Sequence, residues 1–298
     1  MLLGEFRSCS KSFTKGFRRQ QLVLKEVTWG IPQGSLLGLV GPNGSGKSTS
    51  IKLLLGLSAP TAGEVRLFGD KPGARAFRNV GYLPENPVIS DALYPLEFLD
   101  YVGRMHHLDA ATRASRNRRL LEEVGLSQHT KKTVRQFSKG MVQRLTLASV
   151  LVHEPELLIL DEPMSGLDPL GRRLVIDLLA KQHRQGKTIC FSSHLLHDIE
   201  ELCDRIVVLI RGEIRYQGPR AELIQRNERY RLVFHYVGEL PHWIEKAEML
   251  GDATWVVYGQ SEPLLDLLSR LQQLGARIIE YRAEGASLES TFLEMVSA

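Results

Sequence analysis

Apolar and polar positions alternate along this chain in two textures. Up to about residue 218, short β-branched or apolar runs alternate with longer amphipathic stretches. The runs at 36–40, 80–82, 157–161, 188–192 and 206–210 predict strands, several of them bounded by glycine, proline or charge. Between them, 47–57, 170–185 and 194–203 carry helical spacing. Strands alternating with helices imply crossover connections and a largely parallel sheet covered on both faces. From about 94 to 153 no strand is expected. Apolar residues there recur at helical spacing through Leu96, Leu99 and Val102, then Leu120, Leu121 and Val124, so an inserted helical subdomain is predicted. Its basic cluster, Arg113, Arg116, Arg118 and Arg119, reads as a solvated helix face.

Gly218-Pro219 punctuates the end of the main region. After a short helix, the remainder predicts strand 231–236, helix 243–249, strand 254–258, helix 263–274, strand 277–281 and helix 288–296. The expected division is therefore a domain over 1–228 and a small α+β domain over 229–298. In the second, His235, His242, Trp243 and Trp255 read as core or surface residues, without a catalytic constellation.

Composition narrows the class. With 298 residues, 43% hydrophobic and 24% charged, the chain has material for a sizeable core plus a smaller one. Uninterrupted apolar runs reach about five residues, as at 206–210, against roughly 18 for a bilayer span. Glu5 and Arg7 break the apolar start before a secretory signal could form. Three cysteines, Cys9, Cys190 and Cys203, fit a reducing cytosol better than secretion. The net charge of +4 is a mild basic bias, compatible with an anionic ligand or a membrane surface but not diagnostic of nucleic acid.

The sharpest chemical signal is Gly41-Pro42-Asn43-Gly44-Ser45-Gly46-Lys47-Ser48-Thr49, which matches GxxxxGK[ST] between a strand and a helix. The glycines let successive backbone N–H groups turn inward, and the helix amino terminus adds positive potential for phosphate. Lys47 is then expected to reach the β- and γ-phosphates, and Ser48 to offer its hydroxyl to Mg²⁺. A second signal is the apolar run 157–160 ending in Asp161 and Glu162. It places Asp161 at a strand's carboxyl end, where open α/β sheets bind ligands. Asp161 would hold the Mg²⁺ shell, and Glu162, one residue on, would polarise an attacking water.

At this point the sequence resembles the nucleotide-binding subunits of ATP-binding-cassette (ABC) transporters over about 215 residues. Phe137-Ser138-Lys139-Gly140-Met141-Val142-Gln143-Arg144 resembles the family signature, usually LSGGQ. Ser165-Gly166-Leu167-Asp168-Pro169 resembles the loop that crosses the dimer interface, and Ser192-Ser193-His194 the switch histidine. A metal site at His197 and Asp198 lacks further ligands at zinc spacing. Phe13 lies where relatives stack an aromatic ring on adenine, with Phe17 as a competitor for that role. Two departures stand out. Gly81-Tyr82-Leu83-Pro84-Glu85 carries Glu85 where the family has glutamine, and Lys139 and Met141 replace glycine and glutamine of the signature. These variants, with Ser287-Leu288-Glu289-Ser290-Thr291-Phe292 near the end, look like the exporter branch whose membrane subunits are separate ABC-2-type chains.

The resemblance implies a P-loop NTPase fold, α/β, with the ABC cassette core, the helical insertion and the C-terminal domain. It implies an ATPase using ATP and Mg²⁺ at the cytoplasmic face of a bacterial inner membrane. Nucleotide contacts fall on Phe13, Gly41 to Thr49, Glu85, Ser138, Lys139, Gly140 and Asp168. The metal falls to Ser48, Glu85 and Asp161, and the chemistry to Lys47, Glu162 and His194. Partners would be a second copy, which sandwiches two ATP, and separate multi-span membrane subunits. The rival expectation is a soluble ABC-type ATPase acting on nucleic acid or ribosomes. About 90 residues separate Thr49 from Ser138, too few for the coiled coil of chromosome-maintenance relatives, and translation-linked relatives carry two cassettes where one is present here. A regulatory module that binds ATP without hydrolysing it is opposed by the intact Asp161-Glu162 pair.

Overall fold

A computed structural model describes residues 1–15, 19–73, 77–226, 229–244, 247–260, 264–284 and 287–297. It divides into two compact units, Met1–Gln217 and Gly218–Ala298.

The first unit contains a six-stranded sheet in the order β5 (Val80–Leu83), β6 (Leu157–Asp161), β7 (Thr188–Ser193), β3 (Leu36–Val40), β8 (Arg205–Ile210), β9 (Glu213–Pro219). Neighbours from β5 to β8 are parallel, as the strand–helix alternation predicts. β3, β6 and β7 are buried along their whole length, which is why they read as unbroken apolar runs rather than alternating ones. The strand order has a functional consequence. β7 lies between the strand that feeds the glycine loop and the strand that ends in Asp161. Register pairs Val40 with Ser193 and Asp161 with Ser192, so three carboxyl ends lie side by side.

A second sheet escapes the sequence pattern. β1 (Leu2–Lys15) and β2 (Arg19–Pro32) pair antiparallel, and β1 also pairs with β4 (Ala62–Leu67). Phe6 and Trp29 stack at 4.5 Å on this sheet. They share one buried cluster with Leu37 and Leu39 of β3, Leu157 and Ile159 of β6, and Ile51 and Leu54 of the helix Lys47–Leu54.

The predicted helical insertion consists of helices Pro95–Met105, Ala110–Glu123 and Lys139–Leu151, with short 3₁₀ turns at 127–129 and 134–136. Pro95 opens the first helix, and Glu97 accepts the Tyr94 N–H at 3.0 Å. Asp109 caps the second through the Thr112 N–H at 2.9 Å. Leu99, Leu120, Leu121 and Val124 are buried as the spacing predicts, whereas Leu96 is exposed. The basic cluster is not simply a solvated face. Arg113 donates to Asp100 at 2.6 Å, Arg116 to the Val152 carbonyl at 3.0 Å and to Glu154 at 2.8 Å, and Arg119 to Glu154 at 3.3 Å. These arginines staple helix Ala110–Glu123 to its neighbours; Arg118 is exposed.

His106 and His153 stack in this region with ring centroids 3.8 Å apart and 6° between planes. His153 Nε2 is 3.1 Å from the Val80 carbonyl. Burial pushes the His153 imidazole down to about 4; His106, Lys187 and Arg116 add to the fall, and the Val80 carbonyl opposes it. A histidine depressed in the folded state stays neutral while the unfolded chain, near 6.5, already binds a proton. Stability is therefore full above about pH 6.5 and declines as pH falls toward 4. Urea unfolding of the parent is expected to lose about 1–2 kcal/mol between pH 7 and pH 5 from this group. His153→Gln should flatten that slope, and an unchanged slope would place the pH sensitivity elsewhere.

The second unit has a four-stranded antiparallel sheet in the order β11 (Glu248–Gly251), β12 (Thr254–Gln260), β10 (Arg229–His235), β13 (Arg277–Glu284). Its core contains Tyr230, Leu232, Phe234, Val257 and Leu271. Helices Leu264–Gln273 and Leu288–Ser297 match the predicted ones in place, and helix Arg220–Arg226 packs against the latter. One expectation fails. Residues 245–246 of the predicted helix 243–249 lie outside the described residues, but 248–251 form a strand hairpinned to β12. The turn uses Asp252 and Ala253 at φ 42° and 56°. Left-handed alanine is rare, so the usual Asn-Gly or Asp-Gly signal for such a turn is missing. Trp255 Nε1 donates to the Tyr236 carbonyl at 3.2 Å and packs on the core, while Trp243 is half exposed beside Arg270.

Candidate functional site

β3 delivers the chain into the glycine loop, and two glycines fix the loop's shape. A Cβ at Gly41 would lie 2.2 Å from the Leu209 carbonyl and 2.5 Å from the Ser45 hydroxyl, so the loop passes too close to β8 for any side chain. Gly46, at φ 114°, is the N-cap of helix Lys47–Leu54 in a conformation reserved for glycine. The helix amino terminus therefore opens into a cleft of about 490 Å³. Asn43, Gly44, Gly46, Lys47, Ser48 and Thr49 line it, joined by Glu85, Glu162 and His194. The sequence had brought these residues together only by motif.

Lys47 is 7% exposed, and its Nζ donates to the Gly41 carbonyl at 2.6 Å and the Pro42 carbonyl at 3.3 Å. Burial lowers the pKa of its ammonium, while the carboxylates of Glu162, Asp161 and Glu85 pull the other way. Ser48 Oγ lies 3.4 Å from Asp161 Oδ1, so the hydroxyl and the carboxylate expected to share a cation do meet. Both are hard oxygen donors, and the Glu85 carboxylate lines the same cleft, a donor type suited to Mg²⁺. The Ser45 hydroxyl is buried without a hydrogen-bond partner inside the loop.

Asp161 ends β6 almost fully buried, and Glu162 follows with its carboxylate directed to His194, Oε2 to Nδ1 at 2.8 Å. Burial pushes the Glu162 carboxyl up; the hydrogen bond from His194 and the charges of His194 and Lys47 pull it back. His194 stands at the end of β7 on a turn that is itself anchored. Ser193 Oγ accepts the Leu195 N–H at 3.0 Å and lies 3.3 Å from Asp198 Oδ2. Asp198, 1% exposed, pairs with Arg172 at 2.5 Å. That carboxylate is therefore a structural ion pair, and His197 points at Glu201, 3.9 Å away. Among the described residues no group of three or more His, Cys, Asp or Glu is placed to hold a metal.

The signature residues lie away from the cleft. Ser138 caps helix Lys139–Leu151 by accepting the Met141 N–H at 3.2 Å; Ser138 and Lys139 are exposed. A Cβ at Gly166 would meet the Lys139 stem at 2.9 Å, so the signature start rests on the 165–168 loop. Asp168 caps helix Pro169–Arg184 through the Gly171 N–H at 2.8 Å. Phe13 does not line the cleft. It is 45% exposed on β1 beneath the Lys11 ammonium, which sits 4.8 Å from its ring, and pairs in register with Gln21. Phe17 lies outside the described residues. Gln21, Val23 and Ser165 do line the cleft; Ser165 was expected only as part of the interface loop, and Gln21 and Val23 not at all. Those two depend on the β1–β2 register, for which the chain carries no local signal.

Comparison with known proteins finds relatives that span most of the chain. The family profile described as ABC transporter matches residues 24–165. An uncharacterized ABC transporter ATP-binding protein of Synechocystis sp. is 40% identical over 294 residues, covering 96% of this chain and 82% of that protein. The Nod factor export ATP-binding protein I of Ralstonia nicotianae is 33% identical, covering 93% and 89%. Among solved structures, an ATP-binding subunit of an ABC transporter is 32% identical with a TM-score of 0.66, covering 74% of this chain and 91% of that one. The dimeric post-hydrolysis cassette MJ0796, bound to ADP and Pi, shares the fold at 24% identity and the same TM-score, covering 72% and 98%.

Proposed function

This chain belongs to the ATP-binding proteins of ABC transporters, and on that premise we propose how its residues divide the work. The protein binds ATP and hydrolyses it to power transport through membrane subunits. The observation that carries the residue assignment is one cleft at the adjoining ends of β3, β6 and β7, holding Lys47, Ser48, Glu162 and His194 with Asp161 beside it.

In this reading the loop Gly41 to Thr49 cradles the phosphates with its N–H groups, and Lys47 swings from the Gly41 and Pro42 carbonyls to the β- and γ-phosphates. Ser48 and Asp161, with Glu85, hold Mg²⁺, which neutralises phosphate charge when bound. Glu162 accepts a hydrogen bond from the attacking water and orients it in line with the γ-phosphate. His194 holds Glu162 through Nδ1. With that nitrogen committed, the imidazolium form keeps a second N–H, at Nε2, to give to a phosphate oxygen. Phe13 is outside the cleft as it stands, but its register partner Gln21 lines it, so the ring would flank the adenine from the cleft's edge.

Ser138, Lys139 and Gly140 are outside this cleft and exposed or half-buried at a helix start, an anion-binding arrangement. That supports a homodimer in which each signature, with Asp168 nearby, closes on the ATP held by the other copy. No helix among the described residues is long and apolar enough to cross a membrane. Separate multi-span subunits at a bacterial inner membrane, with this chain on the cytoplasmic face, fit that observation. Export is supported by the likeness to the Nod factor export protein. Affinity purification from detergent-solubilised membranes tests the proposal. A multi-span membrane protein should co-purify in stoichiometric amount, and ribosomes or nucleic acid in its place would overturn it.

A further inference from the structure

Glu162 is a non-glycine residue at φ 51°, a left-handed conformation unfavourable for an L-residue. It persists because both of its backbone polar groups are claimed from outside β6. Its N–H donates to Ser192 Oγ at 3.0 Å. Its carbonyl accepts the Ser165 N–H at 3.0 Å and Gln143 Nε2 at 3.4 Å, and the same amide nitrogen donates to the Pro163 carbonyl at 3.3 Å. The Ser192 hydroxyl spends its one proton on Asp161 Oδ1, at 2.6 Å. Ser192 is 0% exposed and Gln143 1%.

We propose that Ser192 and Gln143 are positioning residues for ATP hydrolysis, holding the backbone of Glu162 so that its carboxylate faces the cleft. The inference rests on the reading of Glu162 given above. A single hydroxyl bridges Asp161 and the Glu162 backbone, so the carboxylate assigned to the cation and the one assigned to water are set at a fixed offset. Gln143 adds the second restraint from helix Lys139–Leu151, whose first turn carries the signature. The acidic loop is therefore gripped from β7 on one side and from the signature helix on the other. A side chain present only to fill space would need neither donor nor acceptor here. Removing either leaves a buried N–H, carboxylate lone pair or carbonyl without its partner.

The test compares Ser192→Ala and Gln143→Leu with the parent in full-length protein. ATPase rates are counted per nucleotide-binding site, and affinity is read with a fluorescent ATP analogue. Each variant should lower kcat at least tenfold while the nucleotide Kd stays within threefold. Counting per binding site removes loss of folded protein from the comparison. Should Ser192→Ala fail to fold, Gln143→Leu decides the matter alone. A kcat within twofold of the parent in a folded variant, or a loss of affinity as large as the loss of kcat, overturns the proposal. Glu162→Gln in parallel separates the two levels. Turnover retained by Glu162→Gln removes the reading of Glu162 itself, whereas an inactive Glu162→Gln beside fully active Ser192→Ala and Gln143→Leu removes only the positioning role.

Discussion

Glu162→Gln is expected to cut ATP turnover by orders of magnitude while leaving nucleotide binding intact. The substitution keeps the size of the side chain and removes its capacity to take a proton. Positioned acid–base groups contribute about 10²–10⁴-fold to rate, and a fall of that size in phosphate release is expected. Affinity should hold or rise, because a carboxylate leaves the neighbourhood of incoming phosphate and Lys47 no longer has to balance it. The His194 contact at 2.8 Å can be kept by an amide, so the turn at the end of β7 has no reason to collapse. With hydrolysis blocked, ATP should hold two copies together, visible as a dimer by size-exclusion chromatography with Mg²⁺ and ATP. Undiminished phosphate release would remove Glu162 from its assigned role.

What could be read from the chain and what could not follow from the range over which each feature is specified. The strands 36–40 and 157–161 and the loop between Gly41 and Thr49 are local. Apolar runs buried on both faces and glycines forced by close approach leave their mark within a dozen residues. The β1–β2–β4 sheet is not local. Its register carries several shifts, and exposed and buried positions do not alternate cleanly along it. Gln21 and Val23 reach the cleft only through that pairing, so no reading of their neighbours could have found them. The arginines of helix Ala110–Glu123 are a second case. Charge predicts solvent, and only the placement of Asp100, Glu154 and the Val152 carbonyl turns three of them into staples. Ser192 and Gln143 are a third. Both stand inside motifs visible in sequence, yet Ser192 acts through the pairing of β7 with β6, and Gln143 from a helix, its side chain reaching the turn after Asp161.

Lys47→Ala is expected to weaken ATP binding by at least tenfold, and the reason lies in the balance of charge at the cleft. Lys47 faces the carboxylates of Glu162, Asp161 and Glu85, each of which acts on its ammonium. Without it, three acids stand near the approach of a triphosphate, and of this chain's own groups the backbone N–H groups, the helix terminus and His194 are left to favour the anion. A helix terminus contributes about 0.3–1 kcal/mol at an exposed site and up to about 2 kcal/mol when partly buried. That is too little to offset the loss of the ammonium beside these carboxylates. The Gly41 and Pro42 carbonyls also lose their donor, at 2.6 and 3.3 Å, so the loop should loosen in the empty protein as well. Lys47→Arg keeps the charge but not the fit, because a planar guanidinium cannot occupy the space of a 7%-exposed ammonium folded against Gly41. Both variants should therefore lose affinity, with the arginine variant intermediate. Titration with a fluorescent ATP analogue reads this directly, and affinities equal to the parent would take the glycine loop out of the nucleotide site.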